Sequence, residues 1–186
     1  MELHLATTPW QGLVFGLLTL PICVWALWTD LTAMRIRNVA VLALMAIFVV
    51  AGPFLLPFDE YLWRYAHFAV VLVVGYLMSA TMGMGAGDAK FMAASAPFVA
   101  LADVQLALML YVVFSLALLM LMFAARATGA AQTVVPGWTW LSDYGRKRVP
   151  LGVGLAPMLT TYLLLAAIQP AAETLPLLPP SGGLLP

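Results

Sequence analysis

Long uninterrupted runs of apolar residues constrain the fold of this chain more than any other feature. A run of about 20 apolar residues, when helical, matches the hydrocarbon thickness of a bilayer. In lipid every backbone N–H and C=O group needs a partner within the protein, so only helices or a closed barrel can span. The runs are continuous and do not alternate with polar residues, which indicates helices. The sequence predicts an all-α integral membrane protein with about six transmembrane helices, over residues 10–28, 39–57, 65–82, 89–101, 104–125 and 151–168.

Composition agrees with lipid as the main solvent of this protein. Of the 186 residues, 64% are hydrophobic and 9% are charged, whereas soluble domains have about 45–50% apolar and about 25% charged residues. The formal net charge is zero, and no basic stripe interleaved with aromatic residues indicates nucleic-acid binding. Cys23 is the only cysteine, so neither an internal disulfide nor a CxxC zinc site is predicted. We expect no metal and no cofactor.

The positive charges lie unevenly on the two sides that six crossings would create. Loops 29–38, 83–90 and 126–150 hold seven of the eight Lys and Arg residues, and the eighth is Arg64. Because positively charged loops stay in the cytoplasm, the side with seven charges is predicted to be cytoplasmic and both termini to lie outside.

The fourth predicted helix is the shortest, and it determines the topology. It carries Pro97, which is typical of a tilted or half-length helix. Without this crossing, the basic residues 146–148 would fall outside the cell. Residues 1–169 are predicted to form a single membrane domain, followed by a Pro/Gly-rich tail over 170–186 that is poorly ordered or lies along the membrane interface.

Two aspartates stand out among the few acidic residues, because each abuts a helix end on the cytoplasmic side. Asp30 closes the first predicted helix, and Asp88 precedes the fourth in the segment Gly83-Met-Gly-Ala-Gly-Asp88. Two crossings separate them, so both are predicted to lie at the same depth. Ionisable residues near the membrane core are functional candidates by default.

A pair of carboxylates can hydrolyse a peptide bond by acting on one water molecule. The ionised carboxylate takes a proton from water, while the protonated one polarises the substrate carbonyl. Two carboxylates close together cannot easily both ionise, so they share a proton. Gly85 and Gly87 suit a tightly turned backbone that a substrate could approach closely.

Each aspartate also has a structural interpretation without chemistry. Asp88 could cap the N-terminus of the fourth helix, where acidic residues are favoured. Asp30 could be an interfacial anion beside Arg35 and Arg37. From the residues alone, both interpretations remain open.

Two motifs resemble those of the type IV prepilin peptidases, a family of GxGD intramembrane aspartyl proteases. The first family motif is an Asp followed by Ile-Pro-Asn, and here the chain reads Asp30-Leu-Thr-Ala-Met-Arg-Ile-Arg-Asn38. The second, Gly-x-Gly-Asp-x-Lys, reads Gly85-Ala-Gly-Asp-Ala-Lys90. A third and weaker likeness, around Gly152, opens the last predicted helix. Arg37 stands where the family usually has Pro, which affects the predicted geometry of the turn.

The resemblance implies a protein of the bacterial inner (cytoplasmic) membrane that removes a short leader from type IV pilin-like precursors at the cytoplasmic face. Asp30 and Asp88 would be catalytic, and the motif residues around them would shape the substrate-binding loops; these are Gly85, Gly87, Asn38, Lys90 and Gly152. The partners implied are a prepilin or pseudopilin helix and membrane lipid. The chain lacks the cytoplasmic region with paired CxxC motifs found in bifunctional relatives. It resembles the short Flp/Tad-type form without N-methyltransferase activity.

Two other classes of function remain as alternatives. The compact helical plan and the Gly12-x-x-x-Gly16 packing pattern would also suit a small transporter or a pilus-assembly scaffold. A transporter usually places polar groups near the midplane of several helices. The hydroxyl residues of the predicted helices are expected only to hydrogen-bond their own backbone; these are Ser79, Ser115, Thr160 and Thr161. A protease of this type that cleaves another class of membrane helix is the second alternative.

Overall fold

The computed structural model describes residues 5–82, 84–129, 133, 137–138 and 151–170. Within these ranges the regular structure is helical, with six α-helices and no strand. They are α1 (Pro9–Ala33), α2 (Asn38–Leu55), α3 (Phe58–Met82), α4 (Ala86–Ser95), α5 (Val104–Ala127) and α6 (Leu155–Ile168). Short 3₁₀ turns occupy Ala96–Phe98, Leu101–Asp103 and Leu151–Gly154. The predicted basic cluster at 146–148 and the tail beyond Pro170 lie outside the described residues.

The helices agree with the prediction of an all-α membrane protein, with differences at their ends. α1 continues past Asp30 to Ala33, and α3 begins at Phe58, seven residues before the predicted start at 65. The first turn of α3 contains Asp59 and Glu60. An apolar run therefore marks the lipid-facing part of a helix, whereas the helix itself extends into polar sequence.

Four segments are long and apolar enough to cross a bilayer: Pro9–Ala33, Asn38–Leu55, Phe58–Thr81 and Leu101–Ala127. α6 is a shorter apolar helix. α4 has ten residues, which at a rise of 1.5 Å per residue gives a length of about 15 Å. That is about half of the hydrocarbon thickness, so α4 alone does not cross. Six crossings and the outer position of both termini stay predictions.

Two pairs of helices provide most of the packing. α1 lies along α6, and α3 lies along α4, while α2 contacts both α1 and α4. Gly12 allows the closest approach of the first pair, because a β-carbon there would lie 2.7 Å from Ala166 Cβ and from Ala167 N. Gly75 serves the second pair, where a β-carbon would lie 3.1 Å from Ala89 Cβ. The GxxxG pattern of α1 is therefore a packing contact with α6.

Aromatic rings fill the centre between the pairs. Phe48 contacts Phe15, Phe98, Tyr61 and Tyr65, with ring centroids 5.5–6.3 Å apart. α4 packs against this core although it is short, and its residues Phe91, Ala93 and Ala94 are fully buried. The outward faces of the long helices carry exposed Leu, Val and Phe side chains, as expected where lipid is the solvent.

A hydrogen-bonded group closes one end of the bundle, which we call the Asp103 end. The carboxylate of Asp103 accepts backbone N–H groups from Ala6 at 3.0 Å and from Thr7 at 3.3 Å, and the Tyr162 hydroxyl at 2.8 Å. Ala100 N–H donates to Tyr162. These bonds join the segment before α1 to the start of α5, and they join the start of α5 to α6.

Candidate active site

Asp30 lies in the last turn of α1, at the opposite end of the bundle, which we call the Asp30 end. Its backbone carbonyl accepts the N–H of Met34 at 2.8 Å, and Met34 adopts a left-handed conformation (φ 49°) that ends the helix. The Asp30 side chain is 4% exposed. Within the described part of the chain, its Oδ2 atom has no hydrogen-bond donor. A buried carboxylate oxygen without a donor is uncommon and calls for a physical explanation.

Asp88 is the third residue of α4 and is half-buried. The N-cap of α4 is Gly85, so Asp88 is not the capping residue. A β-carbon on Gly85 would lie 2.9 Å from Asp88 Oδ2, and glycine therefore leaves the space that this carboxylate occupies. The positive end of the helix dipole in the first turn favours a negative charge at this position.

The two aspartates are neighbours, whereas the crossing count predicts only that they lie at one depth. Their carboxyl groups interact electrostatically. The backbones that carry them also meet, because a β-carbon on Gly87 would lie 3.1 Å from the Ile36 carbonyl oxygen. Nearby, Lys90 Nζ donates to Asn38 Oδ1 over 3.4 Å. The predicted Asp30–Asn38 and Gly85–Lys90 motifs therefore form one structural unit.

The interpretation of Asp30 as an interfacial anion fits this arrangement poorly. Asp30 is buried, whereas Arg35 and Arg37 are exposed, so Asp30 is not an interfacial anion covered by these arginines. Arg37, which replaces the usual Pro, is the N-cap of α2 with an extended backbone (φ −77°). A Pro at this position would have a similar φ. The Arg37 departure consequently leaves the turn in the backbone conformation that the family residue would impose.

Gly152 lies in the 3₁₀ turn Leu151–Gly154 that leads into α6. The neighbouring Val153 is fully buried, and a β-carbon on Gly154 would collide with the Ser115 side chain of α5. This turn thus packs closely on α5. No contact of Gly152 with the aspartates is described, and its predicted role in substrate-loop geometry stays a prediction.

Tyr111 of α5 is a neighbour of Asp88 that the sequence did not reveal. Its side chain interacts electrostatically with Asp88 and approaches the hydroxyl of Ser115. An aromatic residue in an apolar helix is usually part of the core, so nothing in the sequence distinguished it. For Ser115 the predicted hydrogen bond to its own helix is wrong, because no backbone carbonyl of the described residues accepts from its Oγ. Ser79 does bond a carbonyl, that of Met84 at 2.9 Å.

Aromatic and apolar side chains flank the site on the side of α1. Trp138 packs edge-on against Trp28, with ring centroids 5.7 Å apart. It also joins a small cluster with Leu31, Met34 and Met122. The end of α1 that carries Asp30 is thus held against the end of α5. Among the described residues, no three His, Cys, Asp or Glu side chains are grouped as a metal site would require.

A sequence model of a known family matches this chain over residues 17–134. The family is described as the type IV leader peptidase family. The matched range is more than half of the chain; it begins within α1, ends beyond α5 and includes both aspartates. No curated protein and no solved structure is significantly similar to the chain.

Proposed function

Since the chain belongs to the type IV leader peptidase family, we propose that it is a membrane-embedded aspartyl endopeptidase acting on type IV pilin-like precursors. The proposed reaction removes the leader peptide at the cytoplasmic face. Asp30 and Asp88 are the proposed catalytic residues. The proposed location is the inner membrane of a bacterium, with both termini outside.

One observation carries this proposal: an acid buried without a hydrogen-bond donor on one oxygen faces a second acid. Burial of a charge is costly unless the charge is paired or neutralised. A proton shared between Asp30 and Asp88 removes one of the two charges and gives the pair a hydrogen-bond donor. This arrangement has little value for stability, whereas hydrolysis by two carboxylates requires it.

The environments of the two acids suggest different roles. We assign the ionised role to Asp88, because it is half-buried in the first turn of α4, where negative charge is favoured. The protonated role falls to Asp30, which is more deeply buried than Asp88. Asp88 then removes a proton from a water molecule, and the water oxygen attacks the scissile carbonyl carbon.

Proton movements complete the reaction without a covalent enzyme intermediate. As the carbonyl oxygen becomes negative, it takes the proton from Asp30 and forms a tetrahedral diol. Collapse of the diol breaks the C–N bond, returns a proton to Asp30, and passes the proton held by Asp88 to the leaving amine. The acid pair ends with one proton, as it began.

Glycines give the substrate access to this pair. The substrate must present an extended peptide backbone to the carboxylates, and α4 begins at this point with Gly85 and Gly87. Because glycine has no side chain, these two residues leave the backbone open to an approaching substrate. Gly87 is already in contact with Ile36, so substrate is proposed to approach from the side of Gly85, which is exposed.

The proposed reaction includes no methyl transfer. The support for this is the lack of paired cysteine motifs, with Cys23 buried in α1. Incubation of the purified protein with cleaved pilin and S-adenosylmethionine should leave the new N-terminus unmethylated by mass spectrometry. Methylated product would overturn this part of the proposal.

Co-expression with candidate pilin precursors tests the peptidase assignment. Wild type should convert the precursor to a faster-migrating product on gels, whose N-terminus is then sequenced. Asp30→Asn and Asp88→Asn should leave the precursor uncut, while Asp59→Asn, an exposed carboxylate of α3, serves as the matched control. If both single variants at the site still process the precursor, the assignment fails.

A further inference from the structure

The short helix α4, which carries Asp88, is flanked by buried residues on both sides. Met84 precedes it and Pro97 follows it, and both are buried. A backbone carbonyl near a helix end has no partner within the helix, and lipid offers no donor. The donors that the protein supplies at the two ends of α4 therefore determine how firmly this helix is held.

The neighbouring helix α3 supplies a side-chain donor at each end of α4. Ser79 Oγ donates to the carbonyl oxygen of Met84 at 2.9 Å, two residues before α4 begins. Arg64 Nη1 donates to the carbonyl oxygen of Pro97 at 3.2 Å, two residues after α4 ends. The close packing of α3 along α4 is thus supplemented by a hydrogen bond on either side of the short helix.

The hydroxyl of Ser79 points in a different direction from several other hydroxyls of the helices. Thr19, Thr81 and Ser95 donate to the carbonyl four residues earlier in their own helix, at 2.8–2.9 Å, as is usual for such residues. Ser79 donates forward to Met84, which lies five residues later and beyond the end of α3. Its hydrogen bond therefore fixes the connection between α3 and α4 and adds nothing to α3 itself.

This connection leads directly to Asp88. The Met84 carbonyl belongs to the same planar peptide group as the N–H of Gly85, so its direction sets the plane of that group. The Gly85 carbonyl accepts the N–H of Ala89 at 3.1 Å in the first turn of α4. A β-carbon on Gly85 would lie 2.9 Å from Asp88 Oδ2. A rotation of this peptide group consequently moves the first turn of α4 and the carboxylate beside it.

We propose that Ser79 is a positioning residue for the Asp88 carboxylate, acting through its hydrogen bond to Met84, and that Arg64 holds the other end of α4. This inference rests on the proposed function of Asp88. The Arg64 side chain suits its role because it is 3% exposed and its Nη2 donates to Glu60 Oε1 at 2.6 Å. With both ends held, α4 presents Asp88 to the attacking water in one orientation.

Kinetics in liposomes with a pilin precursor test the role of Ser79. Loss of a hydrogen bond between neutral groups corresponds to a change of about 3- to 10-fold in rate. Ser79→Ala should lower kcat by this factor and leave KM within about twofold, because no contact with substrate is removed. Ser79→Thr retains the hydroxyl and should retain at least about half of the wild-type kcat. Thr81→Val, which removes a hydroxyl bonded within α3, is the matched control and should leave kcat unchanged.

The kinetic results separate the inference from the proposed function. Wild-type kcat in Ser79→Ala, with Asp88→Asn inactive, would overturn the inference and leave the proposed function standing. A kcat in Ser79→Thr as low as that in Ser79→Ala would also overturn it, since the hydroxyl would then not be the group that matters. An equal fall in Thr81→Val would do the same.

Amide hydrogen exchange of the protein in nanodiscs, followed by mass spectrometry, needs no substrate. Ser79→Ala should increase the exchange rate of residues 85–90 by about 3- to 10-fold, because the first turn of α4 then opens more readily. Arg64→Met should increase exchange more at residues 96–100 than at 85–90. The two variants thereby report on the two ends of α4 separately.

Wild type and Thr81→Val are the references for this measurement. Equal exchange at residues 85–90 in Ser79→Ala and both references would refute the inference. A similar increase in α1 and α6 would show a general loss of stability and would also refute it. If wild type cleaves no precursor but exchange at 85–90 rises in Ser79→Ala, the peptidase proposal fails while the contact that holds the start of α4 stands.

Discussion

Asp30 and Asp103 are both buried aspartates, 4% and 6% exposed, yet their surroundings differ. Asp103 accepts two backbone N–H groups and the hydroxyl of Tyr162. Asp30 has an oxygen that meets no donor in the described residues, and its neighbour is a second acid. One carboxylate is surrounded by donors and the other is not.

This difference separates an acid that supports the fold from one that is available for chemistry. A carboxylate with several donors is stabilised as an anion and holds its donors in place. A carboxylate without them retains the capacity to exchange a proton and to bind a water or a substrate oxygen. Burial alone does not distinguish the two; the completeness of hydrogen bonding does.

The largest expected effect is on catalysis at the Asp30 end. Asp30→Asn and Asp88→Asn should each lower the cleavage rate by at least about 10²- to 10⁴-fold, the contribution of a general acid or base. Asp103→Asn should cleave within about twofold of wild type per folded molecule, because general acid–base catalysis requires contact with reacting groups. Rates are measured on purified, reconstituted protein. A precursor cleaved normally by Asp30→Asn but not by Asp103→Asn would reverse the comparison.

The second-largest expected effect is a loss of stability in variants at the Asp103 end. An asparagine at 103 places an amide N–H₂ among N–H and O–H donors, so we expect a loss of about 1–3 kcal/mol in the free energy of unfolding. Tyr162→Phe removes a hydroxyl that contacts both Asp103 and Thr7 and should cost a similar amount. Unfolding in mixed detergent micelles measures both, with Asp59→Asn as the exposed control. If Asp103→Asn were as stable as wild type, the N–H and O–H groups around position 103 would not need a negatively charged acceptor.

A pair of glycine substitutions sharpens the comparison. Gly85→Ala puts a methyl group 2.9 Å from Asp88 Oδ2, which forces the carboxylate to turn. We expect a rate loss of about tenfold with little change in melting temperature, since misplacing a reacting group is costly for rate. Gly12→Ala, where the methyl meets Ala166 at 2.7 Å, should instead lower stability by about 1–3 kcal/mol through overpacking. If each variant showed the other's effect, the division between the two ends would be wrong.

The smallest effect is expected at the contact between the two motifs. Lys90 Nζ and Asn38 Oδ1 are exposed and 3.4 Å apart, so their hydrogen bond contributes little to stability. Lys90→Gln should lower kcat/KM by less than about fivefold, in line with the 0–1 kcal/mol of exposed charged contacts. Steady-state kinetics with and without 0.5 M salt checks this. A loss as large as that of Asp88→Asn would place Lys90 within the catalytic machinery.

The sequence predicted the parts of this architecture that depend on local composition and on counting crossings. Apolar runs located the helices, and the even number of crossings between Asp30 and Asp88 predicted their common depth. The motif glycines predicted a tight backbone at α4, where Gly87 contacts Ile36. The catalytic roles of Asp30 and Asp88 stay predictions that the experiments above address.

The remaining features depend on contacts between distant residues. Asp103 receives its donors from Ala6 and Tyr162, which are 97 and 59 residues away along the chain. Tyr111 of α5 interacts electrostatically with Asp88 of α4, and no local sequence pattern predicts an interaction between these two helices. The early start of α3 follows from polar residues such as Arg64, whose buried guanidinium donates to Glu60 and to the Pro97 carbonyl. The hydropathy pattern predicts a loop at such polar residues, although their contacts with distant residues stabilise them within a helix.

Each of the two pairs of helices carries one of the two proposed catalytic acids. Asp30 lies on α1, which packs along α6, and Asp88 lies on α4, which packs along α3. Sliding or tilting of one pair along the other changes the distance between the acids, as in a shear motion. Helices also tilt to match the hydrophobic thickness of their membrane. We therefore expect the acyl-chain length of the host lipid to affect the separation of the two proposed catalytic acids.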